Sequence, residues 1–293
     1  MEREMPMKRN STNDLRIIAL DLDGTLLDSQ KRLSEANRAA LAAAAANGAF
    51  VVPTTGRFFG MMPEAVRSLP FVRYAITING AQVYDREADA AIAREEIPLS
   101  TARDVMSLLD GYDVIYDCYR LNWGWMGEAF KAKAAEYATD EHYLRMIREF
   151  RRPVPELKAH LAATEGDGDV QKIMLFTRLD APKDATGEIA RAIAGRFPSL
   201  KVTSSTWNNL EINIRTAHKG RALERLAECL GLSLANCIAF GDGANDLTMV
   251  EAAGVGVAMA NACPETLAAA DYVTGSNDAD GVAAALRHFG LSD

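Results

Sequence analysis

The chain has 293 residues, 48% of them apolar and 25% charged, the balance of a soluble globular protein with length for about two domains. Lysine plus arginine is 32 against 40 for aspartate plus glutamate, a net charge of −8, so the basic stripe of a nucleic-acid binder is absent and no nucleic-acid partner is expected. Anionic substrates stay open, because a bound cation inverts the local field.

Residues 1–14 are polar and charged and lack the apolar stretch of a signal peptide, so they read as a loose leader on a cytoplasmic chain. No apolar run reaches the roughly 18 residues of a membrane span. Residues 17–20 are a short apolar run ending at Asp21, the pattern of a strand buried on both faces. Ser34 is an N-cap for an Ala-rich helix that runs to Asn47 and stops at Gly48. Strands follow at residues 50–52, ending in Thr54-Thr55-Gly56-Arg57, and at residues 74–78, ending in Asn79-Gly80. This rhythm predicts right-handed βαβ units and a parallel sheet.

After Tyr84 the texture changes. A β-rich stretch at 114–119 precedes a helical one at 128–138. Residues 139–169 are polar and broken by Pro153, Pro155 and Gly166-Asp167-Gly168. A strand at 170–177, a helix at 182–196 and a hairpin of 200–206 with 209–214 complete the stretch. The first texture then returns. Lys219 opens a helix closing at Gly231, residues 237–240 form a buried strand ending at Gly241-Asp242, a helix spans 246–253, and a strand spans 255–259. The fold class is therefore α/β: a Rossmann-like parallel-sheet core of residues 1–85 and 215–293, split by an inserted α/β domain at 86–214. Cys118, Cys229, Cys237 and Cys263 show no CxxC pairing and read as core thiols.

Three motifs lie just past the ends of buried strands: Asp21-Leu22-Asp23-Gly24-Thr25, Thr54-Thr55-Gly56-Arg57 and Gly241-Asp242-Gly243-Ala244-Asn245-Asp246. In an open parallel sheet the ligand crevice lies at the carboxyl ends of the strands, so these motifs can converge there. Clustered carboxylates repel one another unless a cation joins them, and all-oxygen ligation suits Mg²⁺. Asp21 and Asp242 are the expected ligands, with the backbone carbonyl of Asp23 a third. A carboxylate attacking a phosphate dianion needs its charge repulsion relieved, and Lys219 is the candidate cation beside the metal. Thr55 would donate its hydroxyl to a phosphoryl oxygen, and Gly56 would let the backbone approach. Asp21 is the expected nucleophile, forming an aspartyl phosphate. Asp23 would protonate the leaving oxygen and then activate water, with Gly24 permitting the turn that aims both. Asn245 and Asp246 would orient metal-bound water or hold Lys219.

DLDGT, TTGR, the lysine of His218-Lys219-Gly220 and GDGAND, in that order and with a large insertion between the second and third, resemble the haloacid dehalogenase superfamily. The pattern looks like its Cof-type branch of Mg²⁺-dependent phosphatases with a type-C2 cap of the B subtype. The resemblance is specific in the two core segments and only architectural in the insertion. It implies Asp21 as nucleophile, Asp23 as acid/base, phosphate binding by Thr55 and Lys219, and metal binding by Asp21, Asp23 and Asp242. Thr54 stands where relatives often have Ala, and His218 is unusual before the lysine. The implied activity is hydrolysis of a small phosphorylated metabolite, a sugar phosphate or phosphorylated cofactor, by a monomer or homodimer. Two rivals are a phosphomutase or phosphotransferase on the same site and a non-catalytic phospho-ligand binding module.

Other residues carry weaker signals. Asn79 reads first as a turn residue and, by the resemblance, as a wall of the site. Arg57 either reaches the substrate or is an exposed or ion-paired arginine. Tyr116, Tyr119, Arg120, Trp123 and Trp125 cluster in the insertion, where they form either a substrate-facing lip or, as preferred here, cap core or a dimer contact. His142, His160, His218 and His288 lack zinc-ligand spacing.

Overall fold

The structure is a computed structural model that describes residues 14–292, so the expected leader lies outside the described residues except for Asp14. The chain divides into two compact units, one made of the chain up to Arg94 and from His218 onward, the other of Glu95–Ala217. The sequence reading puts the seams at 85/86 and 214/215.

The first unit opens with β1 (Ile17–Leu20), every residue of which is buried. Helix α1 (Glu35–Ala46) starts where the Ser34 hydroxyl accepts the Asn37 N–H at 3.1 Å, and it buries Ala40, Leu41 and Ala44. Strand β2 (Phe50–Pro53) pairs parallel with β1, and a short α2 (Glu64–Arg67) follows. β3 (Tyr74–Thr77), β4 (Gln82–Asp85) and β5 (Ala90–Arg94) form an antiparallel three-stranded sheet. The strand expected over 74–78 thus does not extend the parallel sheet as a full member; a single parallel bridge, Thr54 with Ile76, connects them. β5 went unread because its residues are mostly alanine and alternate between exposed and half-exposed, a weak apolar signal.

The inserted unit runs α3 (Leu99–Leu109), β6 (Val114–Arg120), β7 (Trp123–Gly127), α4 (Glu128–Ala132), α5 (Glu141–Phe150), β8 (Arg151–Val154), α6 (Leu157–Ala163), β9 (Lys172–Thr177), α7 (Ala185–Arg196), β10 (Leu200–Thr203) and β11 (Asn209–Ile214). Its sheet has the order β10-β11-β9-β6-β7-β8, antiparallel except between β7 and β8. Buried residues of α3, α6 and α7, among them Val105, Leu161 and Ile193, pack on Tyr116, Cys118, Ile173 and Leu175 to make a separate core. The structure corrects two readings here. The helix expected over 128–138 is only α4 and a 3₁₀ turn at Ala134–Glu136. The polar stretch 139–169 contains α5, β8 and α6. α5 buries only Met146 and Ile147 among charged neighbours, and β8 is an edge strand, where Pro153 is tolerated.

The chain then returns to the first unit with α8 (Lys219–Cys229), β12 (Cys237–Gly241), α9 (Leu247–Ala252), β13 (Val255–Ala258), α10 (Pro264–Ala269), β14 (Tyr272–Val273) and α11 (Gly281–His288). The parallel sheet has the order β14-β13-β12-β1-β2, with Ile18 opposite Ile238 and Leu20 opposite Phe240. Alternate residues serve different cores. Ile18, Leu20, Val51 and Phe240 face one layer, while Ile17, Ala19, Val52 and Ala239 face the other. Cys118 and Cys237 are buried and Cys263 half-buried, but Cys229 is exposed at the end of α8, which corrects its reading as a core thiol. No helix among the described residues is long and apolar enough to cross a membrane.

Candidate active site

β1 and β12 are neighbours, so Asp21 and Asp242 emerge from adjacent strand ends. α8 brings its first residue to the same place. The buried Lys219 ammonium lies 2.5 Å from Asp21 Oδ1 and 2.5 Å from Asp246 Oδ1. Asp246 is committed on its other side as well: its Oδ2 accepts the backbone N–H groups of Asp242 at 3.0 Å and Gly243 at 2.9 Å. Asp246 therefore holds Lys219 and the Asp242 loop together. Asp242 Oδ1 accepts the Thr25 hydroxyl at 2.6 Å. Asp21, Asp242 and Asp246 each present a carboxylate oxygen within 4.8 Å of the others, a group that could hold a divalent metal ion.

The electrostatics follow from this crowding. Burial pushes the Asp21 carboxyl up, Lys219 pulls it down, and the neighbouring Asp246 and Asp242 push it up again, from 3.8 to about 7. Burial also raises Asp242, against the Thr25 hydrogen bond. Lys219 is penalised by burial, but Asp21 and Asp246 outweigh the penalty and hold it charged. Three carboxylates around one ammonium leave an excess of negative charge, and the hard oxygen donors match a small divalent cation.

The Asp23 side chain is engaged by two cations. Its Oδ2 lies 2.8 Å from Arg57 Nη2 and its Oδ1 2.8 Å from Lys31 Nζ. Burial raises its carboxyl, but Arg57 and Lys31 together bring it below the usual range. Arg57 is thus ion-paired. Thr55 is buried after β2, with its N–H on Ile76 O at 2.8 Å and its Oγ1 accepting the Arg57 N–H at 3.3 Å. Asn79, at φ 57°, follows β3 and donates its N–H to Thr55 O at 3.0 Å, so it shapes the turn beside Gly56. Asn245 is exposed.

The sequence reading missed three residues. Thr25 donates its hydroxyl to Asp242, Lys31 pairs with Asp23, and His218 directly precedes Lys219. His218 is the N-cap of α8, its Nδ1 accepting the Arg221 N–H at 3.1 Å. Its position directly before the lysine was the available signal.

In the inserted unit, Trp125 packs against the core, donates Nε1–H to Arg120 O at 3.2 Å and stacks on His160. Trp123 is 37% exposed beneath the Arg152 guanidinium, 3.7 Å from its ring centre. Tyr116 and Tyr119 are buried, and Arg120 binds Gly168 O at 2.8 Å.

A Rossmann-like sheet carrying this lysine–carboxylate cluster defines a class of hydrolase. The chain belongs to the haloacid dehalogenase-like hydrolase family, which it matches over residues 18–286. It is 30% identical to the 5-amino-6-(5-phospho-D-ribitylamino)uracil phosphatase YcsE of Bacillus subtilis, over 95% of this chain and 97% of that one. It is 29% identical to the pyridoxal phosphate phosphatase YbhA of Escherichia coli, over 92% and 96%. A haloacid dehalogenase-like hydrolase from Bacteroides thetaiotaomicron superposes with TM-score 0.77 at 26% identity, covering 94% of this chain and 99% of that one. The chain is accordingly a phosphoric monoester hydrolase of the Cof-type branch.

Proposed function

We propose that the protein is a Mg²⁺-dependent phosphatase that hydrolyses a small phosphorylated metabolite, a sugar phosphate or a phosphorylated cofactor, through an aspartyl phosphate on Asp21. The observation that carries this reading is the shared Lys219: one buried ammonium bridges Asp21 and Asp246 while Asp242 stands beside them. Asp21 and Asp242, with the Asp23 carbonyl, would hold Mg²⁺, whose role is to neutralise phosphate charge and polarise the phosphoryl oxygen.

Lys219 fixes one oxygen of Asp21 and leaves the other to attack phosphorus. The P–O bond to the leaving group breaks as the Asp21–phosphorus bond forms. Thr55 and Lys219 would hold the phosphoryl oxygens, and Asn245 is proposed to join them. Asp23 would give the leaving oxygen its proton, then take one from the water that cleaves the acyl phosphate. With Arg57 and Lys31 on it, Asp23 is ionised, which suits the second step. The first step requires Arg57 and Lys31 to leave it and Asp23 to take up a proton from solvent, which it then passes to the leaving oxygen. The inserted unit is proposed as the cap that selects the organic part of the substrate, and the relatives' phosphorylated pyrimidine and pyridoxal phosphate set the size range.

The test is a phosphate-release screen over sugar phosphates, nucleotides, pyridoxal phosphate and flavin mononucleotide, with and without Mg²⁺, on the wild type and Asp21→Asn. Metal-dependent release that Asp21→Asn abolishes, with its circular dichroism unchanged, is the expected result. Near-normal turnover by Asp21→Asn would remove Asp21 as nucleophile.

A further inference from the structure

The loop carrying Asp21 and Asp23 is tied to the segment that follows β13. Asn261 donates Nδ2–H to Gly24 O at 2.8 Å, and its Oδ1 accepts the Asn277 N–H at 3.0 Å. That second bond fixes which way the amide points. The same segment grips the other carboxylate loop: the Cys263 N–H donates to Asp242 O at 2.8 Å, and the Thr266 hydroxyl donates to Gly243 O at 3.0 Å. One short stretch of chain therefore holds the backbone carbonyls of both carboxylate-bearing loops.

The point that Asn261 grips lies against the Asp242 loop. Gly24 adopts φ +90°, and a Cβ there would lie 2.5 Å from Asp242 Oδ2. The next residue, Thr25, donates its hydroxyl to Asp242 Oδ1. The placement of the peptide between Gly24 and Thr25 thus sets where the Asp242 carboxylate lies beside Asp21. Mg²⁺ accepts only near-ideal octahedral geometry, so a small shift there matters more to the ion than to the fold. Asn261 itself is exposed and fills no core space.

We propose that Asn261 is a positioning residue that holds the loop of Asp21 and Asp23 against the Asp242 loop at the spacing Mg²⁺ requires; the proposal rests on the metal reading above. Partners behind the ligands typically change metal affinity by roughly 10–100-fold. Asn261→Leu removes the amide, keeps the approximate shape and adds no charge. Calorimetric titration of the substrate-free full chain with Mg²⁺ should show dissociation about tenfold weaker than wild type. Excess Mg²⁺ should restore hydrolysis, and the melting temperature should fall by no more than about 4 °C, the shift that roughly 1 kcal/mol gives at this size. Ser29→Ala cuts the hydroxyl bond from Ser29 to Asp278, farther along the same loop, keeps the Ser29 N–H bond to the same carboxylate, and should leave Mg²⁺ affinity unchanged.

Wild-type Mg²⁺ affinity in Asn261→Leu overturns the proposal, leaving Asn261 a structural tie. Equal weakening in Ser29→Ala overturns it too, because general loosening of the loop would then explain the effect. A wild-type protein that neither binds nor needs a divalent cation defeats the metal reading itself, a result distinguishable from both.

Discussion

Lys219 shows most directly how charge organises this site. It is fully buried and is sustained only by the two carboxylates it touches. Removing one member of a buried charged cluster leaves the others uncompensated, at a cost of about 3–5 kcal/mol. Lys219→Met should therefore lose stability on that scale in urea unfolding of the metal-free protein, and turnover with it. A change below about 1 kcal/mol, the range of an exposed pair, would show that the carboxylates are solvated or protonated instead. Gly24 is the second sensitive position. An alanine there takes a left-handed backbone and drives its Cβ toward Asp242, so Gly24→Ala should cost about 1–3 kcal/mol and depress turnover more than it depresses the melting temperature. The motif residues were legible one by one, because strand-end aspartates, glycines and threonines are a local pattern. Their partners were not. Asp23 bonding Arg57 and Lys31, and Asp246 bonding Lys219, depend on side-chain directions that a sequence does not state.

Helix starts and strand ends carry the next set of consequences. Ser34 caps α1 through the Asn37 N–H, so Ser34→Ala should cost about 1 kcal/mol while phosphate release stays at wild-type level. His218 caps α8 immediately before Lys219, and His218→Ala should cost a similar amount but also reduce turnover, with His218→Asn restoring both. Equal turnover in His218→Ala and wild type would show that the cap does not help to hold the lysine. At the end of β4, Asp85 pairs with Arg73 and accepts the N–H groups of Glu87 and Ala88 at 2.9 and 3.3 Å. The Arg73 hydrogen bond, helped by those backbone donors against burial, holds its carboxyl below the ordinary 3.8. A depressed native value contributes stability that is complete above the unfolded value and is lost as pH falls through the native one. Asp85→Asn should thus flatten the loss of stability below about pH 4, measured by urea unfolding across pH. Elements with strong apolar runs, such as β1 and β12, were readable; β5, α5 and β8, with little buried apolar surface, were not.

The two units each have a hydrophobic core, and the inserted one is a continuous stretch whose ends meet: the Thr216 hydroxyl lies 2.6 Å from the Glu95 carboxylate. Replacing residues 95–217 by a short Gly/Ser linker should therefore leave a folded first unit, with its own cooperative melt by circular dichroism. A molten product would mean that the first unit depends on the insertion for its core. The sequence by itself determined the α/β class and the family, because apolar runs and motif spacing encode both locally. Only the tertiary structure decided that Asp246 shares Lys219 with Asp21, that Asp23 is ion-paired, and that the first unit extends to Arg94 and resumes at His218. Those outcomes rest on contacts between residues distant in sequence, 198 positions for Lys219 and Asp21, and such contacts exist only once the strands have paired.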